Sequence, residues 1–407
     1  MDVRIEAGRA RGRVTAPPSK SCAHRLLICA ALAGAGSAVG ALPAGRDVEG
    51  TIACLSALGA RFARQGETLV TQSGLTFPSG AVCPCGDSGS TLRFLLPVAL
   101  LGGEETVFTG SPRLLCRGVD AYETALAPAG IAVEKGDKRL AARGRLSSGA
   151  YAVEGGVSSQ FASGLLLALS ALDGDSTLTV LPPVESRPYI DLTVRCLRRF
   201  GADVAEVKPN VFAVAGKGRL RPADVSVEGD WSNGAALLAF NALGGDVTVE
   251  GLDPDSAQGD RVCAELFARL GKPRARVDLS QRPDLGPILF ALAAALGHGA
   301  RFTGVRRLRL KESDRVSAMA EELEKFGVRA EAGEDELLIH AGAIHAPKTP
   351  LAAHGDHRVV MALSLLCTLT GGTIEGAQAV DKSFPDYFDR LRRLGLTVEE
   401  VARPQGD

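Results

Sequence analysis

The chain carries almost no net charge: 46 basic and 47 acidic side chains leave -1 over 407 residues. No global field therefore draws it toward nucleic acid or an anionic membrane surface. It also lacks a disulfide framework, because its nine Cys residues are odd in number and loosely spaced from Cys22 to Cys367. Cys83 and Cys85 make only a CxC pair, with no CxxC partner or nearby His set to build a structural zinc site. There is no long unbroken hydrophobic run. The 20 uncharged residues from Leu26 to Gly45 are interrupted by Gly34, Gly36, Gly40 and Pro43, which fits a buried helix followed by a turn and strand rather than a span or export signal. No Walker A segment is present, and the glycines from Gly34 to Gly40 follow an apolar helix without the strand-to-helix context of a dinucleotide site.

What is present is an ordinary globular composition, 45% hydrophobic and 23% charged, with length for two or three domains. Within it two patterns recur. Six apolar runs each close on glycine: Leu26 to Gly34, Thr91 to Gly102, Phe161 to Gly174, Ala235 to Gly244, Leu285 to Gly297 and Val359 to Gly371. They are too uniformly apolar for exposed helices, and glycine at the end predicts a left-handed cap. Interleaved with them are amphipathic helices ending in an apolar residue and glycine, at Gly59, Gly130, Gly201, Gly271, Gly327 and Gly395. These glycines fall about 70 residues apart with one shorter step, the signature of a repeated compact α/β unit.

The apolar helices share polar starts. Ser19-Lys20-Ser21 with Arg25, Asp87-Ser88-Gly89-Ser90 with Arg93, Ser158-Ser159-Gln160, Asp230 with Ser232, Asp284, and Asp356-His357-Arg358 precede or open the six runs. Ser and Asp at these positions serve as N-caps. Lys20, Arg25, Arg93, His357 and Arg358 have no capping role, and helix starts furnished with cations attract anions. Two carboxylates stand apart. Glu312, in Lys311-Glu312-Ser313-Asp314-Arg315, is either part of a solvated helix start or an acid or base beside a phosphate-seeking Lys and a fork-shaped Arg. Asp284 either caps the helix after it or shares a cleft with Glu312 and divides the proton work with it.

The whole chain resembles the 3-phosphoshikimate 1-carboxyvinyltransferase family. The resemblance is carried in order by PSKSCAHR at 18–25, CGDSGSTLRF at 85–94, TGSPR at 109–113, VSSQF at 157–161, SRPYID at 186–191 and VEGDWSN at 227–233. It continues through RPD at 282–284, KESDR at 311–315, GDHR at 355–358 and KSFPDYF at 382–388. It implies an α/β fold, a two-domain inside-out α/β barrel of six repeated βαβαββ units. Residues 1–18 join 229–407 in one domain, on the phosphoenolpyruvate side with the catalytic carboxylates, and 19–228 form the other, on the shikimate 3-phosphate side, with a hinge at the two crossings around an interdomain cleft. The implied reaction moves the enolpyruvyl group of phosphoenolpyruvate to the 5-hydroxyl of shikimate 3-phosphate. By resemblance, Ser158, Ser159 and Ser186 bind the shikimate phosphate, Ser21 and Arg25 its carboxylate, and Gln160 and Tyr189 shape that site. Lys311 contacts substrate beside Asp284, while Arg113, Arg315, Arg358, Lys20 and Lys382 surround phosphoenolpyruvate with Gly89 close to it. Asp284 is implied as base toward the hydroxyl and Glu312 as proton donor to C3, with Lys20 assisting. A cytoplasmic monomer with no cofactor, no metal, no nucleic acid and no membrane partner is the expectation.

Two positions depart from the family pattern. Asp87 stands where Asn is common, adding negative charge or capping the next helix, and Arg307 stands where some relatives use Asn toward the shikimate phosphate. Gly89 keeps the small residue of a tight phosphoenolpyruvate pocket, which implies sensitivity to glyphosate. The nearest rival is UDP-N-acetylglucosamine enolpyruvyltransferase, whose reactive loop Cys follows a glycine pair; here TGSPR carries Pro112, and Cys116 lies beyond it. A noncatalytic anion sensor on the same fold would not need the set of Asp284, Glu312 and surrounding cations.

Overall fold

The computed structural model describes residues 1–401 apart from 117, 137 and 217–219; residues 402–407, at the end of the expected 229–407 segment, lie outside the described residues. The chain divides into two compact units, one of Met1–Pro17 with Gly229–Asp407 and one of Pro18–Glu228.

In the Pro18–Glu228 unit the helices Lys20–Ala33, Gly89–Ala99 and Ser159–Leu169 pack against one another. Their sequences leave no solvent face. In SQFASGLLLAL every residue but Gln160 is buried, so this helix is held by packing on all sides rather than by one apolar stripe. Gly164 is what lets it approach its neighbour, because a methyl there would strike the Tyr122 hydroxyl and the Arg93 carbonyl. In the other unit, Trp231–Ala242, Gly286–Leu296 and His357–Thr370 play the same part.

Sheets surround these helices with one repeated topology. Strand 150–154 runs parallel to 176–181, which pairs antiparallel with 211–214, which pairs antiparallel with 204–208. The same order joins 81–84, 106–109, 139–143 and 132–135. It joins 275–278, 300–303, 336–339 and 330–332 again. Two further sheets complete the order with a strand from far along the chain. Strand 224–226 supplies the parallel edge beside 38–40, and strand 2–5 sits between 372–375 and 398–401. A sixth sheet pairs 246–250 with 11–15 in parallel. The period of about 70 residues is therefore a parallel crossover through a buried helix, an amphipathic helix and an antiparallel hairpin.

The predicted glycine caps need correction at two helices. Gly89–Ala99 ends at Leu100 and Ser159–Leu169 at Ser170, well before Gly102 and Gly174. Short i to i-3 bonds from Leu101 and Gly102, and from Ala171 and Leu172, satisfy the last carbonyls, so neither helix needs a left-handed cap. Gly297 does cap in the left-handed form, at φ 70. Among the amphipathic helices, Gly271 is the exception, at φ -64, and Arg274 takes the left-handed position at φ 53 instead. No described helix is long and apolar enough to cross a membrane.

Candidate active site

The two units finish their inner helices differently, and the difference sets the chemistry of each. In the Pro18–Glu228 unit all three inner helices are capped by serine: Ser19 accepts from Cys22 N, Ser88 from Thr91 N at 3.2 Å and Ser158 from Gln160 N at 3.3 Å. A neutral cap satisfies one backbone donor and leaves the positive end of the helix dipole uncancelled. Asp87, the other candidate cap of the second helix, is exposed and leaves that role to Ser88.

Side chains tie these helix starts together. Gln160 receives a bond from Arg93 at 2.8 Å and donates one to Ser90 at 2.9 Å. Arg25, 2% exposed, donates to Thr193 Oγ1 at 2.7 Å, Ser163 Oγ at 3.4 Å and the Ser21 and Tyr189 carbonyls, with its guanidinium over the Phe94 ring. Burial pushes its pKa down. Ser159 and Ser186 are buried, and Ser186 holds φ 52 at the start of Arg187–Arg199, a left-handed conformation that costs a non-glycine residue about 1–2 kcal/mol. Lys20 pairs with Asp47 at 2.7 Å, a partner with no motif of its own. Gly89 is the first residue of its helix, and Arg113 is exposed on the short Pro112–Cys116 helix.

In the other unit aspartates do the capping. Asp230 accepts from Asn233 N, and Asp356 from Arg358 N, both at 2.9 Å. Charged caps cancel the helix ends, and cations are gathered on side chains instead. Arg315, 1% exposed, opens Arg315–Lys325 and spends its fork on three carboxylates. Its Nε reaches Asp356 Oδ2 at 2.8 Å, Nη1 reaches Asp284 Oδ1 at 2.9 Å and Nη2 reaches Glu312 Oε2 at 2.7 Å. Asp284 also has Lys311 at 3.4 Å and Arg358 at 3.6 Å. It sits in the Pro283–Leu285 turn, and among the described residues the helix that follows has no side-chain cap bond. One planar guanidinium thus fixes Asp284 and Glu312 side by side. Lys382 bonds the Gly355 carbonyl at 3.0 Å, next to Asp356, and Glu322 steadies the same loop through Ala352 N and His354, each at 3.0 Å.

Burial alone would raise the Asp284 carboxyl, but Lys311, Arg358 and Arg315 outweigh it and hold it well below the usual range. Asp356 is likewise held down by Arg315 against its burial. Burial lowers Lys311, Asp284 opposes that, and Arg315 and Arg307 add to the fall, so Arg307 faces the same cation cluster.

Sequence reasoning missed Asp260. It is 1% exposed in the Gly259–Val262 turn, and burial and then Asp284 push it up to about 6, against the pull of Arg358 and Ser232. Its only sequence signal is an acidic residue before a helix. A carboxyl raised on folding binds more protons in the folded state between about 3.8 and about 6, so stability falls as pH rises through that window. Asp260→Asn is expected to raise stability at pH 7.5 by about 2–3 kcal/mol, from a shift of about two units, with the gain gone near pH 4. Denaturant titrations at the two pH values check this; a destabilised variant at pH 7.5 contradicts it. Asp284 and Asp356 act in the opposite sense, stabilising above about 3.8 and losing that contribution as pH falls through their lower folded values.

A family model for EPSP synthase (3-phosphoshikimate 1-carboxyvinyltransferase) matches residues 5–391. The 3-phosphoshikimate 1-carboxyvinyltransferase of Clostridium kluyveri is 36% identical over 98% of this chain and 98% of its own length. That of Methanoculleus marisnigri is also 36% identical, over 97% of this chain and all of the relative, 100%. Among solved structures, an EPSP synthase from Acinetobacter baumannii superposes with a TM-score of 0.81 at 25% identity, covering 98% of this chain and 99% of that one. The enolpyruvyl transferase NikO from Streptomyces tendae shares the fold, with a TM-score of 0.75 at 18% identity over 99% of each chain.

Proposed function

The chain belongs to the EPSP synthase (3-phosphoshikimate 1-carboxyvinyltransferase) family, and from that premise we propose how its own residues carry the family's enolpyruvyl transfer. The reaction joins phosphoenolpyruvate and shikimate 3-phosphate into 5-O-(1-carboxyvinyl)-3-phosphoshikimate and phosphate by addition and elimination, a step toward chorismate. The observation that carries the assignment of roles is the Arg315 fork, which holds Asp284 and Glu312 side by side among Lys311 and Arg358.

In the addition, Asp284 takes the proton of the 5-hydroxyl as its oxygen bonds to C2 of phosphoenolpyruvate, while Glu312 gives a proton to C3. The double bond becomes a methyl group on a tetrahedral carbon that still bears phosphate. In the elimination a C3 proton returns to the Glu312 carboxylate, the C2–O bond to phosphate breaks as the departing phosphate takes the proton held by Asp284, and the vinyl double bond returns. Lys20, Arg113, Arg315, Arg358 and Lys382 would hold the phosphoenolpyruvate anion and stabilise charge on the departing phosphate, with Gly89 leaving room for it. Ser158, Ser159 and Ser186 would take the shikimate phosphate, Ser21 and Arg25 its carboxylate, and Gln160, Tyr189 and Lys311 the rest of the molecule. Support for this division comes from the serine caps: neutral helix starts suit anion binding by backbone N–H groups. In this reading the enzyme works as a cytoplasmic monomer on side chains alone.

The test is an assay of phosphate and condensed product with phosphoenolpyruvate and either shikimate 3-phosphate or UDP-N-acetylglucosamine. Equimolar phosphate and product with shikimate 3-phosphate is expected; product with the nucleotide sugar alone rejects the reading. Glyphosate is expected to inhibit in competition with phosphoenolpyruvate. Undiminished activity at glyphosate levels that block the related enzymes would overturn that expectation.

A further inference from the structure

Asp260 is a carboxylate kept out of water at a cost to the fold, and its surroundings give that cost a use. Its Oδ2 accepts a hydrogen bond from Ser232 Oγ, while its Oδ1, also buried, has no hydrogen-bond partner among the described residues. An ionised carboxylate with an empty acceptor is an expensive group to bury, and replacement by a neutral residue would be the simpler way to stabilise the turn. Arg282, two residues before Asp284, donates from Nε to the Gly259 carbonyl at 3.0 Å and so ties the Asp284 turn to the Asp260 turn, and charged and titratable groups act on Asp260 from each neighbouring element. Asp284 comes from the Pro283–Leu285 turn, Arg358 from the His357–Thr370 helix, Asp230 from the cap of Trp231–Ala242 and Cys263 from the helix that continues its own turn. Arg358 lies 3.6 Å from Asp284 and its charge is also felt at Asp260, while Asp284 is further loaded by Lys311 and Arg315.

A base gripped by three cations is a weak base. We propose that Asp260 is a positioning carboxylate for the transfer: facing Asp284 and Arg358 from the Gly259–Val262 turn, it offsets part of the cationic load and keeps Asp284 able to take the acceptor hydroxyl's proton. The proposal rests on Asp284 being that base. Thermodynamic reciprocity supplies the sign. Ionised Asp284 makes Asp260 harder to ionise, so ionised Asp260 raises the proton affinity of Asp284 by the same amount. Asp260 changes charge at about 6, so Asp284 is the stronger base above that pH and the weaker below it.

The test is turnover against pH, from about 5 to 9, for the wild type, Asp260→Asn, Ser232→Ala and Asp284→Asn. Wild-type kcat is expected to step up near pH 6. Asp260→Asn is expected to lack the step, to run about tenfold below wild type at pH 8 and to meet it within about twofold at pH 5, with KM for phosphoenolpyruvate little changed. Ser232→Ala removes a bond that favours the ionised form, so its step moves to higher pH with the upper plateau kept. A merely structural Asp260 would lower kcat by a constant factor at every pH, and that result, or full turnover of Asp260→Asn at pH 8, overturns the proposal. If Asp260→Asn does not fold, an unmoved step in Ser232→Ala overturns it equally. Asp284→Asn separates the two ideas: full turnover there removes Asp284 as the base, whatever Asp260 does.

Discussion

Replacing Asp284 by Asn is expected to cut turnover by about 10²- to 10⁴-fold, the range that general acid and base groups supply. The amide matches the carboxylate in shape, but it cannot accept the proton of the acceptor hydroxyl. The fold should survive, because Arg315 keeps Asp356 and Glu312, and Asp356 is its most buried partner at 0% exposure. Lys311 and Arg358 lose one anion, a change that anionic substrate can make good. Glu312→Gln is expected to fall in the same range, since it removes the proposed donor to C3 and leaves the Arg315 contact to a neutral oxygen. Initial rates of phosphate release, with thermal melts to show an intact fold, measure both. Near-wild-type turnover in the two folded variants would remove these side chains from the proton transfers.

Arg315→Met should act on stability even more than on rate. Arg315 is the shared counterion of Asp284, Glu312 and Asp356; Asp356 has no contact with solvent and Asp284 is 19% exposed. Truncating one side of a buried ion pair costs about 3–5 kcal/mol, because the partner charge stays buried without compensation. For a unit of this size the melting temperature is then expected to fall by about 10 °C. The loss should shrink below about pH 4, where the abandoned carboxylates can take protons, and that distinguishes lost charge from lost packing. Arg315→Lys is expected to recover little, since an ammonium cannot reach three carboxylates from one plane. A melting temperature unchanged from wild type at neutral pH would mean that the network is solvated and that Arg315 is not its keystone.

The repeated unit was legible because it is written in the two most robust sequence signals, uniformly apolar helices and amphipathic helices closed by glycine. Gly102 and Gly174 misled for a local reason: the helices before them closed early on tight turns, which need no glycine. Asp284, Lys311, Glu312, Arg315 and Arg358 stood out as chemistry-bearing residues, and the fold brings them into one network from separate turns and helices. What the sequence left open was the job of each. Ser88 and Asp87 are equally good caps on paper, and only backbone geometry selects Ser88. Asp284 could either cap a helix or stand beside Glu312, and the ion pairs with Lys311, Arg315 and Arg358 are what it makes. Asp260 and Asp47 were hidden because their importance comes from neighbours distant in sequence, Asp284 and Arg358 for one and Lys20 for the other.

The central claim is that Asp284 and Glu312 move protons during addition and elimination, with C3 of phosphoenolpyruvate passing through a methyl group. Turnover in deuterium oxide tests it most directly, followed by mass and magnetic-resonance analysis of the vinyl group in the product and in recovered phosphoenolpyruvate. Deuterium is expected at C3 with the wild type and sharply less with Glu312→Gln. Full product formation by the wild type with no solvent deuterium at C3 would contradict the account.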